Sequence, residues 1–317
     1  MKWLMIILCL LLNIKNVNAS YVVMSDDEQI LAQDDLYQVQ SVASISKVMS
    51  AIIAIEHGDL NQKITVQDEI LQVDGSSIYL RINDQVTLRD LIYGLMLRSG
   101  NDAAVCIAKH VAGSNEKFVE MMNDKAKALK MNHTIFHNPS GLDEIDGGNI
   151  SCAYDMALLM NYAMKNPIFK SIVSSKMYTS SNQIKWYNKN KLLFNYPYCN
   201  GGKTGYTKKA GRTLITTASK NNINTIVVTL NESDDFNKHQ SFHEQIFNNY
   251  ESKIILEKGL YRFGKYQINI KEDLKITIER NEEIQVYSEI KDMLWKIEIK
   301  SNQYQWYYEY LIEVINE

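Results

Sequence analysis

An α+β fold is what this sequence predicts: a mostly antiparallel sheet beside a cluster of helices, followed by a small β-rich appendage. Three observations point to it. A strand hairpin stands near the start, helical periodicity runs through the middle, and strand-like runs return after residue 200.

The elements follow in chain order. Residues 1–19 carry Lys2, an apolar run over residues 3–12, and small residues at Val17 and Ala19. This is the pattern of a secretory signal peptide, and the run is shorter than the roughly 20 apolar residues that a membrane-spanning helix needs. Export with cleavage after Ala19 is expected, an uncleaved anchor being the alternative. Residues 21–24 and 29–33, joined by the polar residues 25–28, read as a hairpin. Apolar positions 45, 48, 49, 52 and 53 have helical spacing, and Gly58 ends that helix. Thr87 is an expected N-cap for a helix over residues 88–97, with Asp90 at its third position. Further helices are expected at residues 101–111, 114–129 (with Phe118, Met121 and Met122 inward) and 153–165. Strands are expected at residues 201–206, 213–218 and 225–230, with residues 208–211 as a turn, and a helix at residues 242–250. Polar and apolar residues then alternate at 267–271, 275–279 and 296–300, the period of half-buried strands. The expected division is a signal peptide at 1–19, a main domain at 20–253 and a β-rich domain at 254–317.

Composition excludes several classes of function. With 34 Lys and Arg against 37 Asp and Glu, the chain has no electrostatic footprint for nucleic acid. Without Cys9 in the leader, Cys106, Cys152 and Cys199 remain, none in a ligand spacing, so buried thiols are expected rather than a disulfide scaffold. His133 and His137, like His239 and His243, have a spacing that binds metal on a helix. Neither pair carries the glutamate of a zinc-protease motif, and both are expected to be ordinary surface histidines. No cofactor and no metal are expected.

Three short motifs carry chemistry. Ser44 and Lys47 are three residues apart at the start of a helix, on one face. A serine hydroxyl becomes a nucleophile when a neighbouring base takes its proton, and a desolvated lysine is such a base. The spacing alone is common, recurring at Ser114–Lys117 and Ser288–Lys291. Ser99 and Asn101 form the second motif, a hydroxyl to relay a proton and an amide to hold a carbonyl. Ser180–Asn182 and Ser219–Asn221 repeat that spacing. Lys203, Thr204 and Gly205 form the third, which occurs once, on an expected strand. Such a strand pairs with an extended peptide, offers charge and hydroxyl to a carboxylate, and through glycine lets the backbone approach closely.

In this order the motifs match the set used by β-lactamases and penicillin-binding proteins. The sequence resembles the D-alanyl-D-alanine carboxypeptidases, the low-molecular-mass penicillin-binding proteins, over roughly residues 21–250. Residues 43–47, 75–80, 91–104, 138–142, 151–156, 188–193 and 202–207 all look like family segments. The resemblance implies a transpeptidase-like catalytic domain and a serine peptidase that removes the terminal D-alanine from peptidoglycan stem peptides. Ser44 would attack with Lys47 as base, Ser99 would pass a proton to the leaving D-alanine, and Asn101 would orient the substrate amide. Lys203 and Thr204 would hold the terminal carboxylate, with Gly205 beside them. The backbone N–H groups of Ser44 and Tyr206 would form the oxyanion hole. Lys189 and Arg212 are further carboxylate contacts, or else solvated charges. β-Lactams are the expected covalent inhibitors, and the expected site of action is outside the cytoplasm.

The sequence departs from the family pattern at Gly202, where a larger residue, often isoleucine, is usual; a Gly201-Gly202 pair should loosen that edge. Cys152 and Ser46 each replace a usual threonine. Three other readings share the motifs. A β-lactamase needs a deacylating glutamate, and Glu144 lacks that context. A DD-endopeptidase would use the same site, and a penicillin-sensing or wall-binding module would have a slow one. The aromatic tail from Tyr304 to Glu317 reads as a last strand and turn; as a peripheral membrane contact it would be opposed by Glu309, Glu313 and Glu317.

Overall fold

The computed structural model describes residues 18–71, 73–143 and 148–314. The leader through residue 17, Glu144 and the end of the tail lie outside the described residues. A five-stranded antiparallel sheet organises the main body, in the order Ile30–Asp34, Ser20–Ser25, Ile223–Leu230, Gly211–Lys220 and Cys199–Thr207. The expected hairpin and the three later strands are all in it. Side chains alternate between its faces, as a period of two requires. Val22, Met24, Ile226 and Val228 join a large core with the helices, while Val23 and Val227 join a second core under the Asp235–Asn249 helix. Because both faces are covered, the Ile223–Leu230 strand is buried almost throughout.

The helices on the larger core begin and end where local chemistry dictates. Lys47–His57 stops at Gly58. Thr87 caps Leu88–Tyr93 through a reciprocal pair with Asp90, whose backbone N–H donates to Thr87 Oγ1 while the Thr87 N–H donates to Asp90 Oδ2. The helix expected to run unbroken to residue 97 instead widens into a π-turn at Gly94–Arg98. Asn101–Ala112, Asn115–Ala128 and Ala153–Met164 follow, with Phe118 and Met122 buried and Met121 packed at the core margin. The sequence reading missed Pro167–Ser174, although Asn166 as N-cap and Pro167 as first residue are a complete start signal.

The buried histidines correct one expectation. His239 and His243 lie on the Asp235–Asn249 helix, which begins seven residues before the expected start, and neither is exposed. Thr216 Oγ1 sits 2.7 Å from His239 Nδ1 and 2.8 Å from His243 Nε2. Thr229 and Thr225 meet the remaining ring nitrogens at 2.9 and 2.7 Å. All four nitrogens are thus used to pin the helix to the sheet. Burial pushes His243 down to about 3 and His239 well below the ordinary imidazole value, so both are neutral. His133 lies in a loop rather than on a helix, stacked on Tyr37. Cys106, Cys152 and Cys199 are buried free thiols.

The appendage begins with the Tyr250–Leu256 strand, directly after the helix and four residues before the expected boundary. Three small antiparallel sheets enclose a core of their own. Ile268 and Ile270, Ile276 and Ile278, and Ile297 and Ile299 face inward, as the alternation predicted. The aromatic tail forms the Gln305–Leu311 strand within it. The Thr277 N–H donates to Asp27 Oδ2 at 3.2 Å, and Lys275 pairs with Asp26, holding the appendage against the first hairpin. Among the described residues, no helix is long and apolar enough to cross a membrane.

Candidate active site

Ser44 lies not on the long helix but on the short 3-10 turn Ala43–Ser46 that feeds it. Ala43 takes φ of +50°, a left-handed conformation that costs a non-glycine residue free energy and is retained where the surroundings enforce it. Thr213 Oγ1 enforces it in part by donating to Val42 O at 3.0 Å. In a 3-10 turn residues three apart eclipse, so Lys47 stands directly beside Ser44, with Nζ 2.9 Å from Ser44 Oγ.

Lys47 is fully buried. Its amine donates to Asn101 Oδ1 at 2.7 Å and to the Ser140 carbonyl, and no carboxylate among the described residues pairs with it. Burial brings it down to about 7, with Lys189 adding to the effect and Asp102 opposing it. A lysine poised there exchanges its proton near neutrality.

The π-turn places the second motif. Widening at Gly94–Arg98 ends with Ser99 at φ of +64°, and Asn101 then starts the next helix. Ile78 packs against Gly94 so closely that an added Cβ would lie 2.7 Å from Ile78 Cδ1. Asp102 fixes the facing loop by accepting from Ser77 Oγ and from the N–H groups of Ile78 and Leu80. The Asn101 amide is engaged at both ends, since Nδ2 donates to Asp74 O at 2.7 Å. In this arrangement it holds Lys47, whereas the sequence reading assigned it to the substrate amide.

The third motif is on the edge strand of the sheet, Cys199–Thr207, which pairs on one side only. A Cβ at Gly205 would fall 2.3 Å from Thr213 Oγ1 and 3.0 Å from the Ser44 backbone nitrogen. Glycine is therefore what lets this strand run against the Ser44 turn. Lys203 is buried, with Nζ donating to Ser99 Oγ at 3.0 Å and to Thr204 O at 2.7 Å. Burial, with Lys47 and Lys189 nearby, holds it well below the ordinary lysine value. The Gly201-Gly202 pair is buried and in register with Thr217 and Thr216, and the register shifts just beyond it, between Thr217 and Ala218. Gly202 has φ of +148°, and a Cβ there would lie 2.4 Å from Ile215 O and 2.8 Å from Asn190 Nδ2. Replacing this glycine in Gly202→Ile is expected to lower stability by about 1–3 kcal/mol, the cost of a strained backbone. Thermal unfolding checks this; an unchanged melting temperature would refute it.

A cleft of about 340 Å³ joins the motifs, lined by Ser44, Ser99, Thr204, Gly205 and Tyr206. Lys47, Asn101 and Lys203 lie beneath its floor, and the Tyr206 side chain is exposed at the lip. Thus the eight residues singled out from the sequence come together. Lys189 enters the rim, with Nζ donating to Ser76 Oγ at 3.2 Å, and burial lowers its affinity for a proton. Arg212 also lines the cleft, half exposed, but is paired with buried Asp235 at 2.6 Å. Sequence reasoning missed Ser140, Ser76, Lys191 and Phe236. A main-chain carbonyl such as that of Ser140 leaves no residue-type signal; Ser76 and Ser140 lay in segments already marked as family-like.

Comparison with known proteins gives a consistent result. The profile of the family described as D-alanyl-D-alanine carboxypeptidase matches residues 13–234. The D-alanyl-D-alanine carboxypeptidase DacF of Bacillus subtilis is 30% identical over 290 residues, covering 84% of this chain and 74% of the relative. DacB2 of Mycobacterium tuberculosis is 36% identical over 198 residues, covering 62% of this chain and 68% of the relative. Penicillin binding protein 5 of Haemophilus influenzae superposes with a TM-score of 0.77 at 26% identity, covering 94% of this chain and 96% of that one.

Proposed function

The chain belongs to the D-alanyl-D-alanine carboxypeptidase family, and from that premise we infer that Ser44 is the nucleophile of this serine-type carboxypeptidase, acting on peptidoglycan stem peptides that end in D-Ala-D-Ala. The observation that carries the assignment is the Lys47 amine, buried, held near neutrality and 2.9 Å from Ser44 Oγ.

Lys47 accepts the Ser44 proton as Oγ attacks the carbonyl of the penultimate D-alanine. The Ser44 and Tyr206 N–H groups receive the developing oxyanion; the close approach that Gly205 allows supports this pairing. Removing one such donor typically costs about 10²–10³ in rate. The C–N bond then breaks, and the proton reaches the leaving amine through Ser99. Water hydrolyses the acyl ester, and Ser44 regains its proton. Lys203 and Thr204 hold the terminal carboxylate. An anion arriving over buried Lys203 and the rim residue Lys189 favours their charged forms, opposing the lowering that desolvation causes. Asn101 serves as a positioning residue through its bond to Lys47. Residues 1–19 direct export, the residues from 20 to the start of the Tyr250–Leu256 strand form the catalytic domain, and the enzyme works at the outer face of the cell membrane or in the wall.

Penicillins mimic the dipeptide and acylate Ser44 in this reading. Time-resolved intact mass with benzylpenicillin is expected to show a persistent one-to-one adduct on the Ser44 peptide, and a D-Ala-D-Ala peptide is expected to release D-alanine. Drug consumed without an adduct would identify a β-lactamase instead, and untouched drug with no D-alanine release would mean an inert site.

A further inference from the structure

On the far side of the loop that supplies the Ser140 carbonyl, three potential ligands meet. The atoms His133 Nδ1, Cys152 Sγ and one Asp155 carboxylate oxygen all lie within 4.8 Å of one another. Cys152 is the N-cap of the Ala153–Met164 helix, and the Asp155 N–H points at its sulfur, 3.4 Å away. Asp155 is 1% exposed. Its Oδ2 accepts from the His133 N–H at 2.7 Å and from Thr134 Oγ1 at 2.8 Å. Its Oδ1 is buried and accepts from no donor among the described residues. A carboxylate oxygen without a donor in such a place is costly unless a cation sits against it. The neighbour facing it is His133 Nδ1, 3.8 Å away.

We propose that His133, Cys152 and Asp155 form a structural zinc site, independent of the serine chemistry. The donor set is one imidazole nitrogen, one sulfur and one carboxylate oxygen, which suits a borderline-soft cation rather than Mg²⁺ or Ca²⁺. Zinc bond lengths of about 2.0–2.3 Å place tetrahedral ligands roughly 3.4–3.7 Å apart, so the 3.8 Å between His133 Nδ1 and Asp155 Oδ1 needs little closing, and the set, within 4.8 Å overall, closes around the ion. The His133 side chain is 40% exposed, which gives the ion access and leaves the fourth position to water. Binding displaces the Cys152 thiol proton to solvent and forms the Zn–S bond. The consequence is mechanical. Zinc would tie the start of the 133–141 loop to the helix N-terminus and so steady the Ser140 carbonyl that contacts Lys47. The threonine that the family resemblance implies at position 152 would keep the cap but lacks the sulfur.

The test uses the whole chain under a non-thiol reductant, with Zn²⁺ and Co²⁺ as probes. One equivalent of Zn²⁺ should survive gel filtration and raise the melting temperature. Co²⁺ should give a near-ultraviolet thiolate charge-transfer band, a signature that a merely structural cysteine does not produce. Cys152→Thr preserves the helix cap, and His133→Ala changes an exposed loop side chain. Each should weaken zinc binding at least about 10-fold while the protein stays folded, and Cys152→Thr should lose the Co²⁺ band. Zinc retained equally by both variants, or no zinc bound by the unaltered chain, would overturn the proposal.

Discussion

Ser44→Ala is expected to abolish D-alanine release and penicillin capture together, with the fold intact. The serine hydroxyl is the atom that becomes the acyl ester, and no neighbour replaces it. Ser46 Oγ donates to Ala43 O at 2.8 Å and faces away from the cleft, and Ser99 Oγ is bound to Lys203. Removing a nucleophile leaves the binding groups and the oxyanion donors, so residual catalysis above water persists, but the loss should be at least about 10³-fold. Ser44 makes one side-chain hydrogen bond of note, to Lys47, on a turn held by Thr213 and Val42 instead. Melting temperature should therefore change little. Two measurements check this: D-alanine release from a D-Ala-D-Ala peptide, and intact mass with benzylpenicillin. Turnover within tenfold of the unaltered chain, or an adduct on the variant, would sink the assignment of Ser44.

Much of this site was legible in the sequence because its chemistry is written in side chains of fixed order. Ser44, Lys47, Ser99 and Lys203 were found from residue type and spacing, although 104 residues separate Ser99 from Lys203, now 3.0 Å from Ser99 Oγ. The regular elements were legible for the same reason: the alternation at Ile268, Ile276 and Ile297 reports burial on one side of a strand. What escaped was set by tertiary contact. The π-turn at Gly94–Arg98 depends on Ile78 packing where Gly94 has no side chain, and helical periodicity through that stretch looks unbroken. The histidine pair was misplaced because His239 and His243 are buried by virtue of Thr216, Thr225 and Thr229 on two other elements. The tight place of Gly202 depends on a positive φ and on Ile215 O across the strand pair, neither of which composition reveals.

The largest remaining effect is expected at Lys47, and it separates chemistry from folding. Lys47→Arg keeps a positive charge but replaces a base with a group that stays protonated at any accessible pH. Acylation by benzylpenicillin should fall by about 10²–10⁴-fold, the usual contribution of a positioned base. In the unaltered chain the rate should instead rise with pH through about 7, as Lys47 loses its proton, and level off above it. Stability carries the same signature with a definite sign. The folded-state value lies below that of the unfolded chain, so between about 7 and the ordinary lysine range the unfolded state binds more protons, and stability rises with pH. Below that window the folded state bears the full cost of a buried charge. Lys47→Met removes both the base and this cost. It should lose acylation yet melt no lower than the unaltered chain at pH 6, because a buried apolar chain replaces a buried ammonium. Melting curves and acylation rates across pH 5–9 for the three proteins decide the matter. A flat acylation profile in the unaltered chain, or near-normal acylation in Lys47→Met, would show that the proton leaves Ser44 by another route.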